Sequence, residues 1–280
     1  MPVLTLHLLT LNSPTNLQPF IQQLKQSPNL EVILASRPRH VVIHPTTLDN
    51  DPLTKTTWDL MVLLKCASNT TNPIPSALHS WVKNEYKVTT GIPSKLLSTY
   101  PARDADLKHS APSAPLTGSL ENILRDEGRS STAQNLEVSP QLLEFMTDLS
   151  KIHPGPVTML NLLQFHYPNG KESYYQYGQA FIPVAGKRGG SAKLVGAVVN
   201  PSSSPDVTDS RGDQSPRPET EWWNEVSVVH YPSIRHFCDM LAGEDYQGIN
   251  EKYRLSALRD TFLLCTTEFD VEEGAGVAKL

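Results

Sequence analysis

Apolar positions recur along this chain in two ways, and the spacing separates strands from helices. The clearest run is Pro156–Phe165, PVTMLNLLQF, continuous except for one amide, Asn161. No polar face returns in it at three-to-four spacing, so a helix fits poorly. A strand covered on both faces is predicted instead. Leu4–Leu11, LTLHLLTL, echoes that run, and laying HLLTL on NLLQF puts His7 at the place of Asn161.

The same reading extends along the first part of the chain. Val3–Leu11 is a strand, and Asn12–Thr15 is turn material. Leu17, Phe20, Ile21 and Leu24 make the buried stripe of a helix that stops before Ser27-Pro28-Asn29. Glu31–Ala35 and His40–His44 read as strand around Pro38, which demands a bulge or an edge. Pro45–Thr57 is a loop, Trp58–Cys66 a strand and Asn69–Pro75 another loop. Ser76 then caps a helix carrying Leu78, Trp81 and Val82, and Lys95–Tyr100 (KLLSTY) closes the order β-α-β-β-α-β.

From Pro101 to Val138 the pattern breaks into Ala, Ser, Pro and charge, with one helical island near Leu120–Asp126. This segment is expected to be a partly disordered linker. Ser139-Pro140 opens a helix with Leu142, Leu143, Phe145, Met146 and Leu149 on one side. A second β-α-β-β-α-β series follows. Its strands are Val157–Phe165, Ala192–Val199, Trp222–His230 and Phe262–Phe269; its helices are Ser173–Lys187, one capped by Ser233, and further helical material over Gly243–Leu258. Asn200–Thr220 is a long loop matching Pro45–Thr57, and both are candidate lids.

Trp58-Asp59 matches Trp223-Asn224, Ser76 and His79 match Ser233 and His236, and KLLSTY matches LLCTTE. These matches in one order predict an internal duplication. The expected fold is α+β: two β-α-β-β-α-β repeats fused in one chain, each burying its bare sheet face against the other. The repeats span residues 1–101 (divergent) and 139–270 (with a leading helix), joined by linker 102–138 and followed by a disordered tail, 271–280.

Composition narrows the function classes. The chain has 280 residues, 24 Lys and Arg against 29 Asp and Glu, a formal charge of −5 and 39% apolar residues. There is no basic footprint for nucleic acid and no polybasic patch or long apolar run for a membrane. Three cysteines without a CxxC pair, and an N-terminus without a basic leader, point to free thiols in the cytoplasm. The nine histidines show no HxH or HExxH spacing, and the chain has no CxxC pair, so no metal site is expected. Gly-rich phosphate loops and the G-x-S-x-G elbow are also missing from the sequence.

The second half carries a further signal. PVTMLNLLQF, YYQYGQAFIP, WWNEVSVVHYPS and EDYQGI together resemble the domain-of-unknown-function 1330 family of the dimeric α+β barrel superfamily, over roughly residues 156–270. The first half keeps HLLTL and WDLMVLLK but lacks the Tyr-Pro-Ser element. The resemblance implies two ferredoxin-like repeats packed sheet to sheet as a pseudo-dimeric α+β barrel within a single chain, acting as a monomer or pairing into a homodimer. It also implies a pocket between sheet and helices. The superfamily includes cofactor-free monooxygenases, isomerases, decarboxylases or cyclases of polyketide type, and haem enzymes. Secondary metabolism is the setting this suggests.

Candidate chemistry follows from residue type and position. Asn161 is a mid-strand amide that could hold a substrate oxygen. Tyr174, Tyr177 and Phe181 share a helix face and could wall an aromatic pocket, with Tyr177 as proton donor. Trp223 and Glu225 share a strand face by alternation, where burial would raise the Glu225 pKa into acid/base range. His230, at a strand end, completes the catalytic set of Tyr177, Glu225 and His230. Tyr246 and His7 join Asn161, Tyr174, Phe181 and Trp223 as candidate substrate contacts. No cofactor is expected; haem, held by His236 or His230, is the exception left open. The predicted function is a small-molecule-binding barrel, working as a cofactor-free enzyme on an apolar aromatic or polyketide-like substrate. The alternative is a ligand-binding or structural pseudo-dimer without catalysis.

Overall fold

Alternation along eight strands sorts the apolar residues to two sides of a closed sheet. In the computed structural model, which describes residues 1–67, 73–125, 135–199 and 221–274, the strands are β1 (Val3–Leu11), β2 (Leu30–Ile43), β3 (Leu60–Cys66), β4 (Val82–Gly91), β5 (Val157–Phe165), β6 (Ser191–Val198), β7 (Glu225–Tyr231) and β8 (Leu258–Glu268). They close into an antiparallel barrel in the order β1-β3-β2-β8-β5-β7-β6-β4. Each half therefore runs fourth-first-third-second strand: β4-β1-β3-β2 and β8-β5-β7-β6. The halves meet at β2–β8, over a long register, and at β4–β6, where only Thr90↔Val198 and Gly91↔Ala197 pair.

Closure explains why β1 and β5 are apolar on both faces. Leu4, Leu6 and Leu8 of β1, Met61 and Leu63 of β3, Leu160 and Leu162 of β5, and Phe262 and Leu264 of β8 fill the barrel interior in one cluster. The alternate residues Leu9, Leu11, Val62 and Leu64 face outward, under Phe20, Ile21 and Leu24 of α1 (Leu17–Gln26). A larger outer cluster covers the second half. It draws on α6 (Pro140–Ile152), α7 (Gly170–Gly186) and α8 (Ile234–Leu241). Ser139 caps α6, its hydroxyl accepting from Leu142 N at 3.2 Å. Pro38 lies in β2 at a register shift, so a bulge accommodates it and β2 still pairs on both sides, with β3 and β8.

The matched Trp-Asp and Trp-Asn pairs make the same clamp. Asp59 N donates to Leu9 O, and Asp59 Oδ2 accepts from Leu11 N, each at 2.8 Å. Asn224 N donates to Leu163 O, and Asn224 Oδ1 accepts from Phe165 N, each at 2.7 Å. In each half the residue entering the third strand thus fixes the end of the first.

Three expectations are corrected. KLLSTY is not a strand: Leu96, Leu97 and Tyr100 lie on the helix α4 (Ser94–Ser110), where their one- and four-residue steps pack against the barrel interior. The closing strand is β4, and the helix expected at Ser76 is only the single turn α3 (Ser76–His79), with Pro75 and not Ser76 at its N-cap and no side-chain capping bond. Trp81 packs on Phe20 with ring centroids 6.5 Å apart, and Val82 already belongs to β4. The match of KLLSTY with LLCTTE falls with this.

The segment after residue 101 is not a bare linker where it is described. α4 crosses that boundary, and α5 (Ser119–Arg125) follows. Asp239 of α8 holds the intervening chain: its carboxylate accepts from Thr117 N at 2.9 Å, Thr117 Oγ1 at 2.6 Å and Leu120 N at 3.1 Å. The Pro45–Thr57 loop contains α2 (Asn50–Thr54), and Asp260 accepts from the backbone N–H groups of Thr46, Thr47 and Leu48. The expected tail begins inside α11 (Phe269–Gly274). Residues 68–72, 126–134, 200–220 and 275–280 lie outside the described residues, and with them most of the expected Asn69–Pro75 loop and the expected Asn200–Thr220 lid. Among the described residues, no helix is long and apolar enough to cross a membrane.

Candidate functional site

The outer face of the second half is not completely filled. Met159 and Asn161 of β5 face outward beside Glu225, Ser227, Val229 and Tyr231 of β7, with Asn161 directly opposite Ser227 in the register. α7 lies over them, packed against α9 (Glu244–Ile249), the π-helical turn Asn250–Arg254 and α10 (Leu255–Ala257). Between sheet and helices is a cavity of about 540 Å³, whose walls include Asn161, Tyr174, Tyr177, Phe181, Glu225 and Tyr246. Gly170 lets α7 approach closely: a Cβ there would collide with the Ala257 carbonyl.

The three-and-four spacing on α7 builds an aromatic wall. Ring centroids of Tyr174 and Tyr177 are 5.2 Å apart, and those of Tyr177 and Phe181 are 5.7 Å apart. Phe165 extends it, 5.3 Å from Tyr174. Burial pushes the phenols of Tyr174, Tyr177, Tyr231 and Tyr246 upward, so they remain neutral donors. Tyr177 OH lies 3.4 Å from Tyr246 OH.

The polar groups sit on the sheet. Burial pushes the Glu225 carboxyl up to about 7, opposed by the charge of Lys171 at the rim. A group titrating there exchanges protons readily at neutral pH. Asn161 makes one long bond, Nδ2 to Met159 O at 3.4 Å, so most of its hydrogen-bonding capacity is open to the cavity. Ser227 has no side-chain hydrogen bond among the described residues and lines the same cavity. This arrangement can hold an oxygen of a flat, apolar molecule and move a proton beside it.

Six sequence-derived candidates meet in the cavity: Asn161, Tyr174, Tyr177, Phe181, Glu225 and Tyr246. Asn161 faces the helix side of its sheet, as the sequence required of a ligand contact. Three candidates lie elsewhere. Trp223 packs in the barrel interior, where its Nε1 donates to Tyr86 OH at 2.9 Å. Period-two alternation does not reach back to it, because β7 begins at Glu225. His7 is fully buried on the outer face of the first half, with Nδ1 at 2.6 Å from Glu85 Oε1 and Nε2 at 2.7 Å from Thr5 Oγ1. At the places of Glu225 and Ser227 the first half has Leu60 and Val62, packed under α1.

His230 points the other way along β7, into one end of the barrel. It is 1% exposed, and neither ring nitrogen has a hydrogen-bond partner among the described residues. Nearby, Lys193 pairs with Glu268 and Asp104. Lys108 pairs with Asp104 at 2.5 Å and with Glu268 and Asp270 at 2.7 Å. The carboxylate oxygens of Asp104, Glu268 and Asp270 gather within 4.8 Å of one another, but Lys108 already bonds all three. Burial first, and then the Lys193 charge, lowers the His230 pKa to about 4. An unfolded histidine titrates near 6.5, so the unfolded chain binds the extra proton first as pH falls. Stability is therefore expected to drop between about pH 6.5 and 4, by roughly 2–3 kcal/mol from this residue. Urea midpoints across that range should shift less in His230→Gln than in the wild type. Equal shifts would show that His230 is not the group responsible.

Neither candidate axial histidine presents a nitrogen to the cavity. His230 faces the barrel end. His236 has Nδ1 at 2.8 Å from Ser233 Oγ and Nε2 at 3.1 Å from Ala114 O. These residues do not fit a haem in the cavity.

The sequence reading missed Ser227, Tyr231 and Arg254. Ser227 and Tyr231 follow Glu225 by even steps, so alternation carried the signal. Arg254 follows Tyr246 and Asn250 in four-residue steps, and all three are buried. In the polar run NEKYR it reads instead as solvent-facing.

No family model and no curated protein matches the chain. Among solved structures it is similar to RPA0582 from Rhodopseudomonas palustris, a protein of unknown function. The identity is 26% over 46% of this chain and 94% of that one, with a TM-score of 0.33. It is also similar to a "putative monooxygenase" from Lactobacillus acidophilus NCFM, with 5% identity over 95% of this chain and 93% of that one and a TM-score of 0.45. A third likeness is to a protein of the same description from Fusobacterium nucleatum, with 8% identity over 95% and 92% of the two chains and a TM-score of 0.41.

Proposed function

We propose that the cavity of the second half is a proton-transfer site for a small aromatic or polyketide-like molecule. The protein is then an enzyme of the isomerase, lyase, cyclase or monooxygenase type that uses its own side chains. The observation that carries this reading is Glu225, a carboxyl pushed up to about 7 on the wall of an aromatic cavity. It lies on the strand face that also offers the amide of Asn161 and the hydroxyl of Ser227. In this reading Tyr174, Tyr177 and Phe181 hold the flat rings. Asn161 and Ser227 hydrogen-bond a carbonyl or phenol oxygen, and Glu225 takes the proton from the adjacent carbon. Tyr177 and Tyr246, neutral phenols, donate to the oxygen as negative charge develops on it.

The two halves are, in the same reading, fused ferredoxin-like repeats. The shared strand order and the paired Asp59 and Asn224 clamps support this, as does the likeness of residues 156–270 to the domain-of-unknown-function 1330 pattern. The first half then serves as support, and the second carries the chemistry.

Deuterium exchange at the α-carbon of bicyclic aryl ketones such as 2-tetralone, followed by NMR, tests the proposal. The wild-type rate should rise with pH through about 7 and level off as Glu225 loses its proton. Glu225→Gln should lower it by about 10²–10⁴-fold while the ketone still binds. Exchange that is equal in the two proteins would remove Glu225 as the base.

A further inference from the structure

Arg254 is 4% exposed and lines the cavity, and its charge acts on four tyrosines of the same wall, Tyr174, Tyr177, Tyr231 and Tyr246. Its one hydrogen bond runs from Nη1 to Asn250 Oδ1 at 3.4 Å, and it makes no ion pair among the described residues. A guanidinium stays charged under all ordinary conditions, and burying it without an anion is unfavourable.

The same protein shows how it treats a structural arginine. Arg188, 2% exposed, pairs with Asp239 through Nε at 3.0 Å and with Asp245 through Nη2 at 3.1 Å. Its Nη1 also donates to Val184 O at 3.1 Å. Lys193, 1% exposed, likewise has two carboxylates. Arg254 is buried to a similar degree, yet no carboxylate pairs with it among the described residues.

Its setting is specialised as well. It ends a π-helical turn, a rare form that recurs at functional sites. Its charge acts on Tyr174, Tyr177, Tyr231 and Tyr246, and these neutral phenols are donors. Glu225 is not its counter-ion: the cation acting on that carboxyl is Lys171. One end of the cavity is thus rich in donors and carries an unbalanced positive charge. The sheet end carries the proton acceptor.

We infer that Arg254 is an anion subsite and that the molecule this cavity takes is an aromatic carboxylate. Its ring lies against Tyr174, Tyr177 and Phe181, and its carboxylate accepts the guanidinium fork and neighbouring phenol hydroxyls. The inference rests on the reading of this cavity as a ligand site. Within that reading it fixes the orientation, with the carboxylate at the π-turn and the reacting carbon toward Glu225.

Calorimetric titration with 2-naphthoate and its neutral amide, 2-naphthamide, tests this directly on the wild-type protein. The carboxylate should bind about 10- to 100-fold more tightly than the amide. Arg254→Met should abolish that preference and leave amide binding in place, and Arg254→Lys should retain part of it. Lys171→Met should keep the preference, since Lys171 is exposed at the rim. Equal wild-type affinities for the two probes would overturn the anion subsite and leave the cavity reading intact. Binding of neither probe would overturn both. A preference lost in Lys171→Met but kept in Arg254→Met would move the subsite to the rim and overturn the assignment.

Discussion

Lys193→Met is expected to destabilise the protein by about 3–5 kcal/mol, because it leaves buried carboxylates without their principal cation. Lys193 is 1% exposed and pairs with Glu268 and Asp104 at the end of the barrel, over the ring of Tyr100 at 5.6 Å. Burial alone would raise the Glu268 pKa; the charges of Lys193 and then Lys108 override it and hold the carboxyl well below its ordinary range. A depressed carboxyl contributes stability above its unfolded pKa and loses it as pH falls through the folded value. In Lys193→Met the folded value rises, so that contribution shrinks and the loss on acidification begins at higher pH. Urea unfolding at pH 7 measures the first effect, and a series of midpoints down to pH 4 measures the second. Adding Glu268→Gln to the Lys193→Met chain should recover part of the lost stability, since the abandoned charge is then gone. A cost below about 1 kcal/mol would mean that water screens the cluster as it does a surface pair.

Phe262→Ala should cost a similar amount, roughly 3–5 kcal/mol, for a different reason. Phe262 is 0% exposed, opposes Leu162 in the β5–β8 register and sits inside the barrel. Strands surround the vacated space, and a closed ring of paired backbone cannot collapse into it without breaking ladder bonds. Most of the cavity term should therefore remain. Denaturant midpoints at constant slope check this. Phe181→Ala is the internal comparison, because that ring already borders empty space and its removal enlarges a cavity instead of creating one.

The strands and helices legible in the sequence were those with one unbroken apolar signal, a continuous run or a helical stripe. β1 and β5 read correctly because both of their faces are covered, and α1, α6 and α7 because their stripes are unbroken. β4 did not. Lys83, Asn84, Glu85 and Lys87 give it a polar appearance, and of its apolar side chains only the alternate Tyr86 and Val88 join the interior cluster. Glu85 is there for His7 across the β1–β4 pair, a tertiary partner that no local window contains. KLLSTY has strand-like composition, yet the surface it packs on supports a helix. The site was legible where alternation or helical spacing continued from a chosen residue, as from Glu225 or Tyr174. It was not legible where the strand had not begun, as at Trp223, or where a charge is buried against empty space, as at Arg254.

The position of β8 between β5 and β2 also governs how the chain reaches this state. Arg39 Nε donates to Thr267 Oγ1 at 2.8 Å across 228 positions of sequence. Strands β4, β1, β3 and β2 are complete early in synthesis, but the interior face of that sheet then has nothing to cover it. Leu4, Leu6, Leu8, Met61 and Leu63 stay bare until the second half has been made, and the β2 edge stays open until the last strand leaves the ribosome. The final strand thus ends a long interval in which the nascent first half is a sticky, unpaired surface. Closure of this barrel therefore waits on β8, and a chain without it presents an open β2 edge beside a bare apolar face, the combination that invites aggregation.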